Sequence, residues 1–125
     1  MTSLKKIELD FANLQFFDEY VISRIKNDVL LEKNNVEILR KMCHDFYGFK
    51  KFVYIADREN DYNVNPIIYL TLLERNTLMG IAVVSRVISK LKTANFEKQF
   101  SPVAFELFQN LEEAKVWAQS LIHQE

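Results

Sequence analysis

The sequence contains very little cysteine, glycine and proline, and two of these shortages exclude particular structures. Of its 125 residues, one is cysteine, two are glycine and two are proline. The single cysteine, Cys43, excludes an intramolecular disulfide and is typical of a reducing compartment. The two glycines, Gly48 and Gly80, are too few and too far apart for a phosphate loop or a dinucleotide-binding fingerprint. Both motifs need several glycines where a strand meets a helix, so nucleotide binding by those routes is excluded.

Net charge and long apolar runs are also lacking. The chain has 16 basic and 17 acidic residues, a net charge of −1, and its lysines are scattered among acids. Proteins that bind nucleic acid usually concentrate positive charge on one face, so we predict no nucleic-acid partner. No stretch approaches the roughly 20 apolar residues of a membrane span. Residues 1–10 lack the apolar run of a signal peptide, and we therefore predict a cytoplasmic protein with no membrane span.

Candidate metal ligands and nucleophiles are few. Cys43 and His44 are neighbours on a predicted helix and point about 100° apart, so they cannot converge on one ion or form a nucleophilic pair. His123 lies near the end of the chain, where termini fray. We expect Cys43 to be a buried core residue and His44 to face solvent. The sequence predicts no metal, no cofactor and no catalytic residue.

What the chain does contain is typical of a folded domain. The composition is 49% hydrophobic, 13% aromatic and 26% charged, which argues against disorder. A chain of this length suits one domain, residues 1–125, and should bury roughly two-thirds of its unfolded surface.

Hydrophobic periodicity predicts the element order β-β-α-β-α-β-α-β-α. The predicted strands cover residues 7–17, 20–25, 52–56, 79–84 and 102–107, with a turn at 18–19 and an irregularity at 12–13 in the first strand. The predicted helices cover 34–47, 66–75, 85–99 and 110–122. Repeated βα units favour a single mixed, mostly parallel five-stranded sheet with helices packed on it, and the opening hairpin adds an antiparallel edge strand.

Several residues predict where elements begin, end or approach each other. The candidate helix caps are Asn34 or Asn35, Asn65 followed by Pro66, Ser85 or Ser89, and Asn110 with Glu113 in a capping box. Gly48 is placed to end the first helix in a left-handed conformation. Gly80, inside the most apolar strand, indicates a bulge or close backbone approach.

This element order resembles the STAS domain, the α/β fold of bacterial anti-sigma-factor antagonists and of the cytoplasmic tails of anion transporters. The CRAL-TRIO lipid-binding fold is a looser relative. The resemblance spans residues 7–122 and rests on the element order, the apolar strand at 80–85 and the terminal helix at 110–121. It is nearest to small, mostly uncharacterised bacterial proteins of this fold.

One departure from the family bears on mechanism. Antagonist members of the STAS family carry a phosphorylatable serine where the third strand leads into the second helix. The matching stretch here, residues 56–66, contains no serine or threonine. The resemblance therefore implies a STAS-like regulatory or interaction module without that phosphorylation site.

The sequence places a candidate site in two loops. In open parallel sheets, ligands bind beyond the carboxyl ends of the strands. The residues there that we predict to bind a ligand or partner are Asp57, Arg58, Asp61, Tyr62, Asn63, Ser85 and Arg86. Arg58 and Arg86 could hold an anion beside helix N-termini, and Tyr62 could supply a flat apolar wall. The alternative is ordinary solvated loops, with Arg58 paired to Glu59 or Asp61 and Ser85 acting only as a cap.

The leading functional prediction is a non-enzymatic module that presents a rigid surface, centred on residues 57–65, to another protein. The alternative is a domain that binds a small anionic or lipid-like ligand. For a lipid-like ligand, the candidate lining residues are Phe96, Phe100, Phe105 and Phe108, although core packing is their more ordinary role. An enzyme with a carboxylate-based site at Asp57 or Asp61 is a third possibility, for which no spacing singles out a pair.

Overall fold

A computed structural model of the chain describes residues 3–60, 62–64 and 77–124. Its elements are β1 (Lys5–Glu8), β2 (Ala12–Phe16), β3 (Tyr20–Ile25), β4 (Leu30–Leu31), α1 (Lys33–Tyr47), β5 (Phe52–Asp57), β6 (Asn63–Val64), β7 (Leu78–Val84), α2 (Ile88–Glu97), β8 (Ala104–Phe108) and α3 (Leu111–Ile122). A 3₁₀ turn, Lys98–Phe100, follows α2. The predicted helix at 66–75 and its cap at Asn65 lie outside the described residues.

Six of the strands form one mixed sheet in the order β1-β2-β3-β5-β7-β8. The pairs β1–β2 and β2–β3 are antiparallel, while β3–β5, β5–β7 and β7–β8 are parallel. The mixed α/β sheet is therefore confirmed, but the predicted count of five strands is wrong. A further parallel pair, β4 with β6, forms a separate two-stranded ladder.

The extra strand arises near the N-terminus, where residues 7–17 form two strands instead of one. The Leu9 N–H donates to the Ala12 carbonyl oxygen at 2.7 Å, which closes a tight turn at residues 10–11. Ile7 then lies opposite Leu14 in the antiparallel pair. The alternation of apolar residues continues through Phe11, so periodicity alone does not reveal the turn.

The helices cover the two faces of the sheet unequally. The buried residues of α1 and α2 share one core with β2, β3, β5, β7 and β8: Val36, Leu39, Cys43, Tyr47 and Ala94. Ala114 and Ala118 of α3 pack on the opposite face. Placing α1 and α2 on the same face follows from the strand order, because parallel strands added in one direction by right-handed crossovers put their helices on one side.

Single residues at the helix ends confirm part of the prediction. Gly48 has φ of +61° and ends α1. Asn110 caps α3, since its Oδ1 accepts from the Glu113 N–H at 2.9 Å. The predicted caps of the other two described helices are wrong. α1 begins after Glu32, whose N–H donates to Asn35 Oδ1 at 2.9 Å, and α2 begins at Ile88, three residues after Ser85.

The strand β7 is buried almost throughout, and Gly80 within it confirms the predicted close approach. A Cβ atom on Gly80 would lie 2.6 Å from Cδ2 of Leu121 and 2.9 Å from the Trp117 ring. These distances are shorter than van der Waals contact, so α3 packs against the bare backbone of Gly80.

Two further predictions concern Cys43 and the four phenylalanines. Cys43 is 4% exposed and His44 is exposed, as predicted. The phenylalanines do not line a common pocket. Phe100 and Phe105 belong to the α1 face and Phe108 to the α3 face, while Phe96 is 54% exposed. None of the helices that the structure describes combines the length and apolarity needed to cross a membrane.

Candidate functional site

The parallel strands end side by side at one edge of the sheet, which we call the carboxyl edge. Asp57 lies opposite Val84, and Val84 lies opposite Phe108. Backbone hydrogen bonds continue one residue further: the Arg58 N–H donates to the Val84 oxygen at 2.9 Å, and the Ser85 N–H to the Phe108 oxygen at 3.0 Å. The structure therefore brings Asp57, Arg58 and Ser85 together.

A cleft of about 390 Å³ opens at this edge, and we call it the edge cleft. It is lined by Arg24, Asp57, Arg58, Glu59, Val84, Ser85, Arg86, Val87, Lys90 and Leu111. Four of the seven predicted site residues lie here, namely Asp57, Arg58, Ser85 and Arg86. The lining carries charge of both signs, which differs from the basic anion pocket that Arg58 and Arg86 suggested.

Arg58 makes a bidentate ion pair that the sequence did not predict, either in the anion-binding interpretation or in the solvated-loop interpretation. Its two terminal nitrogens donate to the carboxylate oxygens of Glu97, at 2.7 and 2.6 Å. The exposed fractions of the two side chains are 9% and 4%, so the pair is buried. The expected partner Glu59 lies beside Arg24 instead, and the other expected partner, Asp61, lies outside the described residues. The carboxylate at the end of α2 also competes with any anion for the guanidinium of Arg58.

A second ion pair forms on the other face of the same edge. The Nε of Arg24 donates to Asp57 at 3.0 Å, and an Nη of Arg24 donates to Gln15 at 2.6 Å. Glu59 lies 3.6 Å from the same Nε. Asp57 is therefore held by a cation from β3, which is a structural role for this carboxylate.

Sequence interpretation missed Arg24 and Glu97 as members of the site. One signal for Arg24 was present, because it is the only charged residue in the strand Tyr20–Ile25 and sits near its carboxyl end. Glu97 carried no signal of this kind. It lies on a helix rich in charged and polar residues, and only the tertiary structure shows that it is buried.

Ser85 and Arg86 lie at the mouth of the cleft in different environments. Ser85 is 3% exposed, and its Oγ accepts from the Val87 N–H at 3.1 Å. That bond shapes the loop between β7 and α2 instead of capping the helix. Arg86 is exposed, and so are the next two residues, Val87 at 47% and Ile88 at 60%.

Two further predicted site residues, Tyr62 and Asn63, do not line the edge cleft. Tyr62 packs beneath Arg58, with the guanidinium carbon 5.4 Å from the ring centroid, and burial raises the pKa of its phenol. Asn63 is exposed in β6, and its N–H donates to the Val29 oxygen at 2.9 Å. Asp61 lies outside the described residues. Tyr62 therefore acts as a packing partner of Arg58.

A residue not included in the predicted site, Asn60, fixes the loop after β5. Its Nδ2 donates to the carbonyl oxygen of Ile25, the last residue of β3, at 3.0 Å. Together with the two ion pairs, this bond holds the start of the loop against the sheet. Within the described parts of the chain, no three His, Cys, Asp or Glu residues form a group that could hold a metal ion.

Comparisons with known proteins support the fold and leave the function open. No family model matches the chain, and no curated protein matches it. The chain is similar to the crystal structure of an uncharacterised protein of the DUF3478 family, with a SpoIIAA-like fold, from Shewanella loihica PV-4. The TM-score is 0.60 at 14% identity, and the match covers 94% of this chain and 98% of the other. The chain thus has a SpoIIAA-like fold, which confirms the predicted resemblance to the STAS fold.

Proposed function

We propose that this chain is a non-enzymatic STAS-like module that binds another protein at the edge cleft. The SpoIIAA-like fold supports a module of the STAS type. The observation that carries the location is the pair Val87 and Ile88, two adjacent apolar side chains that are 47% and 60% exposed at the mouth of the cleft. Adjacent exposed apolar residues with charged neighbours are the usual composition of an interaction surface, in which an apolar centre has a polar rim.

The ion pairs support this proposal by making the surface rigid. Arg58–Glu97 and Arg24–Asp57 connect β5 to α2 and to β3, so the walls of the cleft are held from both faces of the sheet. A partner that binds a rigid surface loses less conformational entropy than one that must order a loop. Arg86 and Glu59, both exposed, supply charges of opposite sign for orientation.

The same ion pairs disfavour a small anion as the ligand of this cleft. Arg24 and Arg58 already donate to carboxylates, and Asp57 and Glu59 line the same space. An incoming anion would have to displace one carboxylate and approach another, which opposes binding electrostatically.

Affinity enrichment with a matched pair of variants tests the proposal. The tagged wild-type chain and the double variant Val87→Ser/Ile88→Ser are each incubated in lysate of the source organism and chemically crosslinked. The proteins that each chain enriches are then identified by mass spectrometry. We expect a protein that the wild type enriches to be lost from the double variant, because the variant removes the apolar contact without touching the core. The control is Val116→Ser, since Val116 is 67% exposed on α3, which packs on the opposite face.

Two results would contradict this function. One is that repeated experiments enrich no protein over the tag alone. The other is that the double variant and the control retain the same partner at the same level, which would place the contact somewhere other than residues 87–88.

A further inference from the structure

A second concavity lies between α1 and the sheet, and we call it the α1 cavity. It has a volume of about 90 Å³. Its apolar lining residues are Leu31, Val36, Leu39, Cys43, Phe52, Ala56, Leu78 and Ile81. Its remaining lining residues are Arg40, His44, Tyr54, Arg58, Tyr62 and Thr77. Three of these are basic, and no acidic residue lines the cavity within the described parts of the chain.

The guanidinium of Arg40 gives this cavity a specific polar feature. An Nη of Arg40 pairs with Glu37 on the same helix. The Nε of Arg40, however, is buried and has no hydrogen-bond acceptor among the described residues. Because a buried N–H without an acceptor is unfavourable, a ligand oxygen placed at Nε would complete the hydrogen bonding of Arg40. The Nε edge of a guanidinium is also one of the edges that binds carboxylates.

The size of the cavity limits the ligand. A volume of about 90 Å³ is smaller than the roughly 150 Å³ cavity that encloses a benzene molecule, so it encloses only a short alkyl segment. This is too little for a phospholipid or a long-chain fatty acid. The cavity is open to one side, so the tail of a medium-chain carboxylate lies partly inside it.

We propose that the α1 cavity binds a small amphiphilic carboxylate, with its apolar tail against the sheet and its carboxylate at Arg40. The apolar side chains of α1, β5 and β7 supply the surface for the tail. Arg40 supplies the donor that lacks an acceptor, and its existing partner, Glu37, is 47% exposed, so solvent weakens that ion pair. Arg58 contributes to the wall but donates to Glu97, so Arg40 selects the head group. This binding does not depend on the protein-binding role of the edge cleft.

Titration of the full chain with octanoate, followed by two-dimensional NMR, tests the proposal. We expect saturable shifts of amide signals from α1 and from residues 52–56. Arg40→Gln should weaken octanoate binding about ten-fold or more, the usual effect of losing a charge-assisted hydrogen bond. Lys41→Gln is the matched control, because it removes one positive charge from the exposed side of α1, outside the cavity, and its affinity should equal that of the wild type.

A second measurement uses the wild type alone and so does not depend on how the variants fold. Cys43 lines the cavity and is the only cysteine, so alkylation by iodoacetamide reports on a single thiol. Octanoate should slow this alkylation, and octan-1-ol, which has the tail without the charge, should do so much less. Equal protection by the two compounds would overturn the role of Arg40. Absence of any octanoate effect on shifts and on alkylation at millimolar concentration would overturn the site itself.

Discussion

Arg58 and Glu97 are 39 residues apart in the chain and share two hydrogen bonds in the fold. Both side chains are buried, and removing charges from water costs free energy that only a good partner recovers. The pair therefore stabilises the fold only while it is complete. Its main contribution is to fix where α2 lies relative to β5.

Replacing one partner of this pair should lower the free energy of unfolding more than replacing both partners together. We expect Arg58→Met and Glu97→Met each to lower the free energy of unfolding by about 3–5 kcal/mol, because each removes the bidentate partner of a buried charge. The double variant should lose much less than the sum of the two. Urea denaturation at neutral pH measures all three variants.

The control for this prediction is Lys50→Met at the exposed pair of Lys50 with Asp18, whose side chains are 50% and 71% exposed. Exposed pairs contribute about 0–1 kcal/mol, so this variant should change stability little. If Arg58→Met and Glu97→Met cost no more than the control, the Arg58–Glu97 pair is not a buried structural contact.

At the scale of elements, the closest contact between α3 and the sheet is made by a residue with no side chain. Leu121 and Trp117 occupy the space that a Cβ on Gly80 would need. Ala114 and Ala118, the fully buried residues of the helix, are small as well. Small residues on both sides allow α3 to approach the sheet closely, which increases the apolar surface that each buries.

Substitution of Gly80 by alanine should therefore force a shift of α3. We expect Gly80→Ala to lower the free energy of unfolding by about 1–3 kcal/mol, the usual cost of overpacking. Leu121→Ala should reduce that cost in the double variant, because it removes the atom 2.6 Å from the new Cβ. Thermal unfolding followed by circular dichroism measures the three variants.

Gly48→Ala is the control for the role of Leu121. Nothing lies within 4 Å of a Cβ at Gly48, but φ is +61° and ψ is −118° there, so the cost is conformational strain of about 1–3 kcal/mol. Leu121→Ala should leave that cost unchanged. If Leu121→Ala does not alter the loss of stability caused by Gly80→Ala, the new Cβ does not press on Leu121, and α3 shifts to make room for it.

At the scale of the whole molecule, one sheet separates two apolar cores. The α1 face contains Cys43 and the α3 face contains Trp117, and each is the only residue of its type in the chain. The strands β3, β5 and β7 contribute alternate side chains to both cores, so neither core can open without disturbing strands that the other needs.

The two faces should unfold together. We expect the denaturant midpoint measured by Trp117 fluorescence to coincide with that measured by reactivity of the Cys43 thiol, as two-state unfolding of a small domain requires. Far-UV circular dichroism supplies a third midpoint as a control for loss of secondary structure. If the Cys43 thiol becomes reactive at a clearly lower denaturant concentration than the midpoint of the fluorescence change, the α1 face opens on its own.

Much of the fold follows from local patterns in the sequence. The strand Tyr20–Ile25 and the helix Leu111–Ile122 lie close to their predicted positions, because alternation, helical spacing and a capping asparagine are properties of neighbouring residues. The end of α1 at Gly48 and the close approach at Gly80 were predicted for the same reason. The candidate site was predicted less well. Arg58, Asp57, Ser85 and Arg86 meet at one edge, but Tyr62 packs against Arg58 outside the cleft and Asn63 bonds to Val29.

The sequence by itself therefore determined most of the elements, the apolar faces and the edge at which strand ends gather. Only the tertiary structure decided that Arg58 binds Glu97 and that Arg24 holds Asp57. It also decided that Arg40 lines a cavity with a buried donor. These facts depend on which distant segments become neighbours, and no pattern within one segment carries that information.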